Sequence, residues 1–294
     1  MVLGCMMFYT SMNAQEKPFE GEIITESFLQ TKGDQQLGNM LGNGVHIEQT
    51  KVKGCKAHSI DLVGDIHTIS DACSENLVEF IPAINLGMDF SDIMKKSDKP
   101  IVKKNTVSKK SERKMILGHD CVLYEGQVTL VTVSEFEFMG EKSTIEIVTT
   151  EEIKCYVAED IIAPKVMNML IPGFECKGMP LQWRIKSVTG TGDSHDSGSY
   201  SEYDVTKITP CQISDKEFDN PIGIEFLKMD YSNLMSGMNT TDDISDLLDS
   251  VKKVKKEGNK MELWNQEHAK RKVGAENSRK TTGVHYKTEG EWDF

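Results

Sequence analysis

Residues 115–148, MILGHDCVLYEGQVTLVTVSEFEFMGEKSTIEIV, decide the fold. Apolar side chains at Val128, Leu130, Val131 and Val133 lead into Phe136 and Phe138, and after Gly140-Glu141-Lys142 the pattern resumes at Ile145, Ile147 and Val148. Near-alternation is the period of a β-strand, whose successive side chains point to opposite faces, and the Gly-Glu-Lys interruption has the chemistry of a tight turn. The stretch predicts long antiparallel strands joined by hairpins. Gly118, Gly126 and Gly140 are read as the turns between them, as is Thr189-Gly190-Thr191-Gly192 farther on.

The same alternation recurs on both sides, at His58-Ser59-Ile60-Asp61-Leu62, at Trp183-Arg184-Ile185-Lys186 and at Tyr203-Asp204-Val205. Helical patterns are few. Ala163 to Leu170 reads as a short helix with Pro164 near its start and Pro172-Gly173 beyond its end. A second helix, over about 241–257, takes Thr241 as cap, Asp242, Asp243 and Asp246 in its first turns and Lys252, Lys253, Lys255 and Lys256 in its last. Ile244, Leu247, Leu248, Val251 and Val254 fall on one face of it, a face predicted to dock on the β body. The chain thus divides into an export signal over residues 1–14, a curved antiparallel β domain over 15–228, and the amphipathic helix with a charged, partly mobile tail over 229–294.

The signal reading rests on MVLGCMMFYTSMNA, which holds no charged residue and ends in a small one before Gln15, although no basic residue precedes its apolar run. Val2-Leu3-Gly4-Cys5 has the pattern of a lipidation site set close to Met1. Beyond this segment no run reaches the roughly 18 consecutive apolar residues of a spanning helix, so peripheral membrane association is expected, not integral.

Composition narrows the partners. A net charge of -12 argues against nucleic acid, since Lys and Arg on phosphates supply most of that affinity. The charge is uneven: residues 95–114 carry nine basic side chains against Asp98 and Glu112. This stretch reads as a solvated mobile loop resting on the acidic body, with Lys103, Lys104, Lys109 and Lys110 as a surface for anionic lipid headgroups or polysaccharide.

Chemistry-bearing motifs are sparse. There is no Gly-x-Ser-x-Gly, His-Glu-x-x-His or Gly-x-x-x-x-Gly-Lys sequence, and no cofactor is expected. Gly38, Gly42 and Gly44 read as a flexible loop, and Asp193-Ser194-His195-Asp196 as a surface turn. Cys55, His58, His119 and Cys121 are the residue types of a zinc site, but Cys55 and His58, three apart on a strand, do not share a face; no metal is expected. After Cys5, six cysteines remain, and six can pair in 15 ways. Cys121 with Cys155 is the pairing put first, against buried reduced thiols.

Ile116-Leu117-Gly118-His119-Asp120-Cys121-Val122-Leu123-Tyr124, followed by Ile153-Lys154-Cys155-Tyr156-Val157, Gly178-Met179-Pro180-Leu181 and Asn220-Pro221-Ile222-Gly223, resembles an uncharacterised family of exported Bacteroidota proteins. That family is similar to the lipoprotein-carrier (LolA-like) half-barrels. The resemblance implies a mainly β fold with some α: a strongly curved antiparallel sheet with a few covering helices, in the periplasm or at the outer membrane. It also implies a non-enzymatic role in which the concave face holds an acyl chain or lipoprotein. The apolar lining expected there is Met167, Met169, Leu170, Met179, Trp183 and Ile185. The alternative is a secreted or surface interaction protein whose sheet is filled. A third reading, a metal-dependent hydrolase, requires His119, His195 or the Cys/His set to converge.

Overall fold

A computed structural model of the chain describes residues 17–32, 44–96, 99–138, 141–169, 173–174, 176–191 and 197–229, with 260, 263–264 and 266–267. Thirteen strands form one open sheet: β1 (Glu20–Lys32), β2 (Gly44–Lys53), β3 (Lys56–Asp61), β4 (Ile66–Asp71), β5 (Asn76–Ile81), β6 (Leu86–Asp89), β7 (Ile101–Asn105), β8 (Ser108–Ile116), β9 (His119–Phe138), β10 (Glu141–Ala158), β11 (Met179–Thr191), β12 (Ser197–Pro210) and β13 (Glu225–Lys228). The path runs β13-β6-β5-β4-β3-β2-β1-β12-β11-β10-β9, with β7 and β8 both on the outer flank of β9. Every pairing is antiparallel except β13 with β6.

Two meanders make this sheet, and β1 joins them. Its pairing with β12, from Gly21↔Pro210 to Lys32↔Gly198, brings together segments some 180 residues apart in sequence. Short turns of fixed chemistry build the first meander. Asp61 Oδ1 accepts from the backbone N–H of Val63 and Gly64, and Asp71 Oδ1 accepts from Cys73 and Ser74. Each loop then closes on an acidic residue in the left-handed region, Asp65 at φ 52° and Glu75 at φ 55°. Asp61 to Asp65 and Asp71 to Glu75 are therefore the same side-chain-capped turn used twice.

Among the described residues the helical elements are α1 (Ser91–Lys96) and single 3₁₀ turns at Pro82–Ile84, Lys165–Met169 and Asp215–Phe218, and residues 260, 263–264 and 266–267 are helical too. The helix expected over Ala163 to Leu170 is the second of these 3₁₀ turns, and the helix expected over 241–257 lies outside the described residues.

Two turn assignments need correction. Gly126 lies inside β9, where a Cβ would meet Val107 Cα at 2.5 Å and Thr106 O at 2.6 Å. Its missing side chain admits the corner at which β7 passes into β8. Thr189 to Thr191 likewise continue β11, while Gly192 lies outside the described residues.

The basic stretch is also not a loop. Ile101–Asn105 and Ser108–Ile116 run as one kinked edge along β9, with Thr106 N donating to Gln127 O at 2.8 Å and Gln127 N donating to Thr106 Oγ1 at 3.0 Å across the kink. The physical reason is the length of β9. A twenty-residue strand exposes a row of unpaired backbone groups, and a Lys-rich edge satisfies them while discouraging further strand addition.

The main core gathers Ile23, Val52 and Ala57 from β1 to β3 with Val122, Val128, Ile153, Val157, Leu181 and Val205 from β9 to β12, and with Ala163 from the segment after β10. Two smaller cores cover opposite faces of β4 to β6: Ile66, Ile81, Leu86 and Met88 under Trp264, and Ile69, Val78 and Phe80 under Ile213 and Phe218.

Candidate functional site

The residues expected to line an apolar void lie in the main core. Met179 is fully buried at the start of β11, where it opposes Ala158. Trp183 is 5% exposed, stands between Cys155 and Tyr203 in the ladder, and stacks on Tyr203 with centroids 4.8 Å apart. Met167 and Ile185 pack half-buried against the same cluster. Met169 ends the 3₁₀ turn at Lys165, and Leu170 lies outside the described residues. Val166 N donates to Gly54 O, and Phe174 sets its ring edge-on to Tyr124 at 6.0 Å. The segment between β10 and β11 thereby fills space against the sheet.

The cysteines pair differently from the expectation. Cys55 and Cys73 form the disulfide, and Cys121 and Cys155 are free buried thiols. The register explains both results. Cys121 opposes Ala158 while Cys155 opposes Tyr124, so the two lie three positions apart along the ladder, about 10 Å, and on opposite sides of the pleat. In a meander, by contrast, alternate turns share an end, which brings Cys55 in the β2–β3 turn to Cys73 in the β4–β5 turn. Burial raises the Cys121 thiol and raises Cys155 well above the usual range, and burial with Glu159 nearby pushes Cys176 up to about 11. These are protonated thiols without nucleophilic activation.

The zinc-type residues do not assemble. Cys55 is committed to its disulfide, His58 Nε2 sits 3.1 Å from His67 Nδ1, and His119 Nδ1 sits 2.7 Å from Asp160 Oδ2. Cys55, Asp71 and Cys73 place ligand-type atoms together, but both sulfurs are already bonded to each other. Asp193 to Asp196 lie outside the described residues.

The four surface lysines stand on the β7–β8 edge and divide in two. Lys103 pairs with Glu146 at 3.1 Å and Lys109 with Glu159 at 2.7 Å, whereas Lys104 and Lys110 are exposed and have no carboxylate partner among the described residues. Ile101, Val102 and Met115 on the same edge are 61%, 41% and 65% exposed. Cations and apolar side chains therefore share one edge of the sheet.

Clefts also open elsewhere among the described residues, and two of them differ in character. One, of about 380 Å³, is polar, with Lys56, Asp71, Asn76, Asp89, Asp92 and Lys228 around it. The other, of about 320 Å³, is walled by Phe19, Leu117, Ile161, Ile208 and Pro210 and rimmed by His119, Thr206 and Lys207. Sequence patterning did not single out this second cleft, although its signal was present. Ile116-Leu117-Gly118-His119 is a two-residue hairpin with positive φ at both central positions, 50° at Leu117 and 85° at Gly118, where Asn-Gly is the ordinary choice.

Comparison with known proteins finds no family model that matches the chain and no curated protein that matches it.

Proposed function

We propose that this chain is an exported, non-enzymatic envelope protein of half-barrel, LolA-like form, whose curved sheet is filled by its own residues and whose work is done on its outer surface. The single observation that carries this reading is the occupied core. Met179 and Trp183, the side chains a hydrophobic cargo would touch, are buried against Ala158, Tyr203 and the segment between β10 and β11. A carrier needs an apolar void at that place. The Cys55–Cys73 disulfide supports an oxidising compartment.

On this reading the contact surface is the β7–β8 edge. Its exposed Lys103, Lys104, Lys109 and Lys110 and the neighbouring Ile101, Val102 and Met115 suit an anionic lipid surface, which takes cations at the headgroups and apolar side chains just beneath. The rest of the molecule is strongly acidic, so an anionic surface repels it and orients this edge inward.

Co-sedimentation with vesicles tests the proposal. The full chain should pellet with phosphatidylglycerol–phosphatidylethanolamine vesicles at low salt and remain in solution with phosphatidylcholine vesicles. The joint substitutions Lys103→Glu, Lys104→Glu, Lys109→Glu and Lys110→Glu should abolish pelleting. Equal pelleting with both vesicle types, or pelleting indifferent to the substitutions, overturns the surface assignment.

A further inference from the structure

The apolar cleft at the β8–β9 turn opens at the margin of the filled core, on which Phe19, Ile161 and Ile208 pack, and its walls come from four separate parts of the chain. Phe19 is tied to the segment after β10 by its backbone N–H, which donates to Ile162 O at 2.8 Å. Ile208 and Pro210 come from the last turn of ladder on β12. There β12 still pairs with β1, but its pairing with β11 has ended at Gln182↔Asp204. The gap left on that flank is closed by Ile161 and by the Leu117-Gly118 turn. The cavity is thus preformed by sheet topology, and at about 320 Å³ it falls at the small end of ligand sites.

Leu117 is the second, independent observation. A left-handed backbone is unfavourable for a leucine, and a two-residue turn of this type ordinarily takes Asn at that position. This leucine is also 45% exposed, so burial does not recompense the strain. A residue that breaks the local rule and covers an apolar cleft is what a binding function would retain.

The rim supplies the charge. Asp160 holds His119 by Nδ1, Asp120 is held by Arg113 at 2.8 Å, and the Thr206 hydroxyl donates to Ile24 O at 3.3 Å. Lys207, exposed on the rim, has no carboxylate partner among the described residues. An apolar pocket with one uncompensated ammonium at its mouth selects a small amphiphilic anion.

We propose that this cleft is a binding site for an amphiphilic carboxylate, its alkyl or aryl body seated between Phe19, Leu117, Ile161 and Ile208 and its head on Lys207. The inference goes beyond the surface role above and uses none of the same residues, so either can fail alone.

Isothermal titration calorimetry of the full chain tests it, with monomeric decanoate and 3-phenylpropanoate as alkyl and aryl probes and decyltrimethylammonium as the cation of matching chain. One of the two carboxylates should bind with a stoichiometry of one, and whichever binds more tightly identifies the body of the ligand. Lys207→Gln should weaken that binding about tenfold, the scale of one charge-assisted contact. Leu117→Asn should weaken it at least fivefold while raising Tm by about 2–4 °C, because Asn relieves the turn. A leucine with a purely structural role would lower Tm instead. Failure of both carboxylates to bind at millimolar concentration, equal affinity for the cation, or unchanged affinity in both variants overturns the site.

Discussion

The two meanders of this sheet are held together in opposite ways. β2 to β6 are four to ten residues long, turn on Asp61 and Asp71 side chains, and are pinned at one end by Cys55–Cys73. β9 to β12 are thirteen to twenty residues long and carry Val122, Val128, Ile153, Val157, Leu181 and Trp183 into the main core. Short strands bury too little apolar area each to fix themselves, so their order depends on local polar bonds and a covalent staple. Long strands gain cumulative burial and leave Cys121 and Cys155 reduced. A sheet that is continuous in hydrogen bonding is therefore uneven in what stabilises it.

The largest expected effect falls on the long-stranded arm. Trp183→Ala removes a 5% exposed indole stacked on Tyr203 and should lower unfolding free energy by about 3–5 kcal/mol in urea titration. A loss below about 1 kcal/mol would show that the arm is not the principal core. Next comes the staple. Cys55→Ser with Cys73→Ser opens a link between residues 18 apart, and the expected loss is about 3 kcal/mol by the chain-entropy argument. Amide hydrogen exchange locates it: protection should fall in β2 to β6 and hold in β9 to β12. Equal loss in both would mean that the meanders unfold as one unit.

The same contrast governs what the sequence disclosed. Alternation in 115–148 was legible because each buried position of β9 and β10 repeats on a strand long enough to show a period. The β7–β8 edge was not, because Lys103, Lys104, Lys109, Lys110, Arg113 and Lys114 carry no apolar period; only the unpaired flank of β9 makes them strand. Gly126 was misread as a turn since glycine marks a close backbone approach as readily as a reversal. The disulfide escaped a reading that weighed strands and not turns, for Cys55 and Cys73 both lie within turns. In the apolar cleft Leu117 was seen as part of a motif, but its left-handed backbone could be known only once the hairpin register was fixed.

Acid should act first on the stapled meander. Burial, with His67 and Lys51 near, lowers His58 below its usual 6.5, so this imidazole binds its proton less readily folded than unfolded. Its contribution is present above 6.5 and is lost as pH falls through the lowered folded value. Asp61 follows at lower pH. Burial pushes its carboxyl up, but the hydrogen bonds from His46, Gly64 and Val63 outweigh that and hold it below 3.8. Its stabilisation is lost as pH falls through that depressed value. Glu48, raised by burial, acts in the opposite sense, so a loss of stability on acidification below 6.5 is the sign expected of His58. Exchange protection in β2 to β6 should fall between pH 7 and 5.5 and become flat in His58→Gln. A fall of equal size in β9 to β12, or one that persists in the variant, would break the comparison.

The smallest effect is expected on the basic edge, and its smallness is informative. Lys103–Glu146 and Lys109–Glu159 are exposed pairs, and pairs of that kind contribute about 0–1 kcal/mol. Lys104 and Lys110 have no carboxylate partner to lose among the described residues, so Lys104→Ala and Lys110→Ala should change stability by less than about 0.5 kcal/mol. The edge is held by its backbone ladder on β9, whose bonds do not depend on side-chain charge. Six basic residues over 103–114 are thus more than stability requires, and an acidic molecule that keeps them on one flank has a directional charge available for a partner. If the alanine variants instead lose 2 kcal/mol or more in urea titration, the lysines serve the fold, and the division between a stabilised arm and a surface free for contact does not hold.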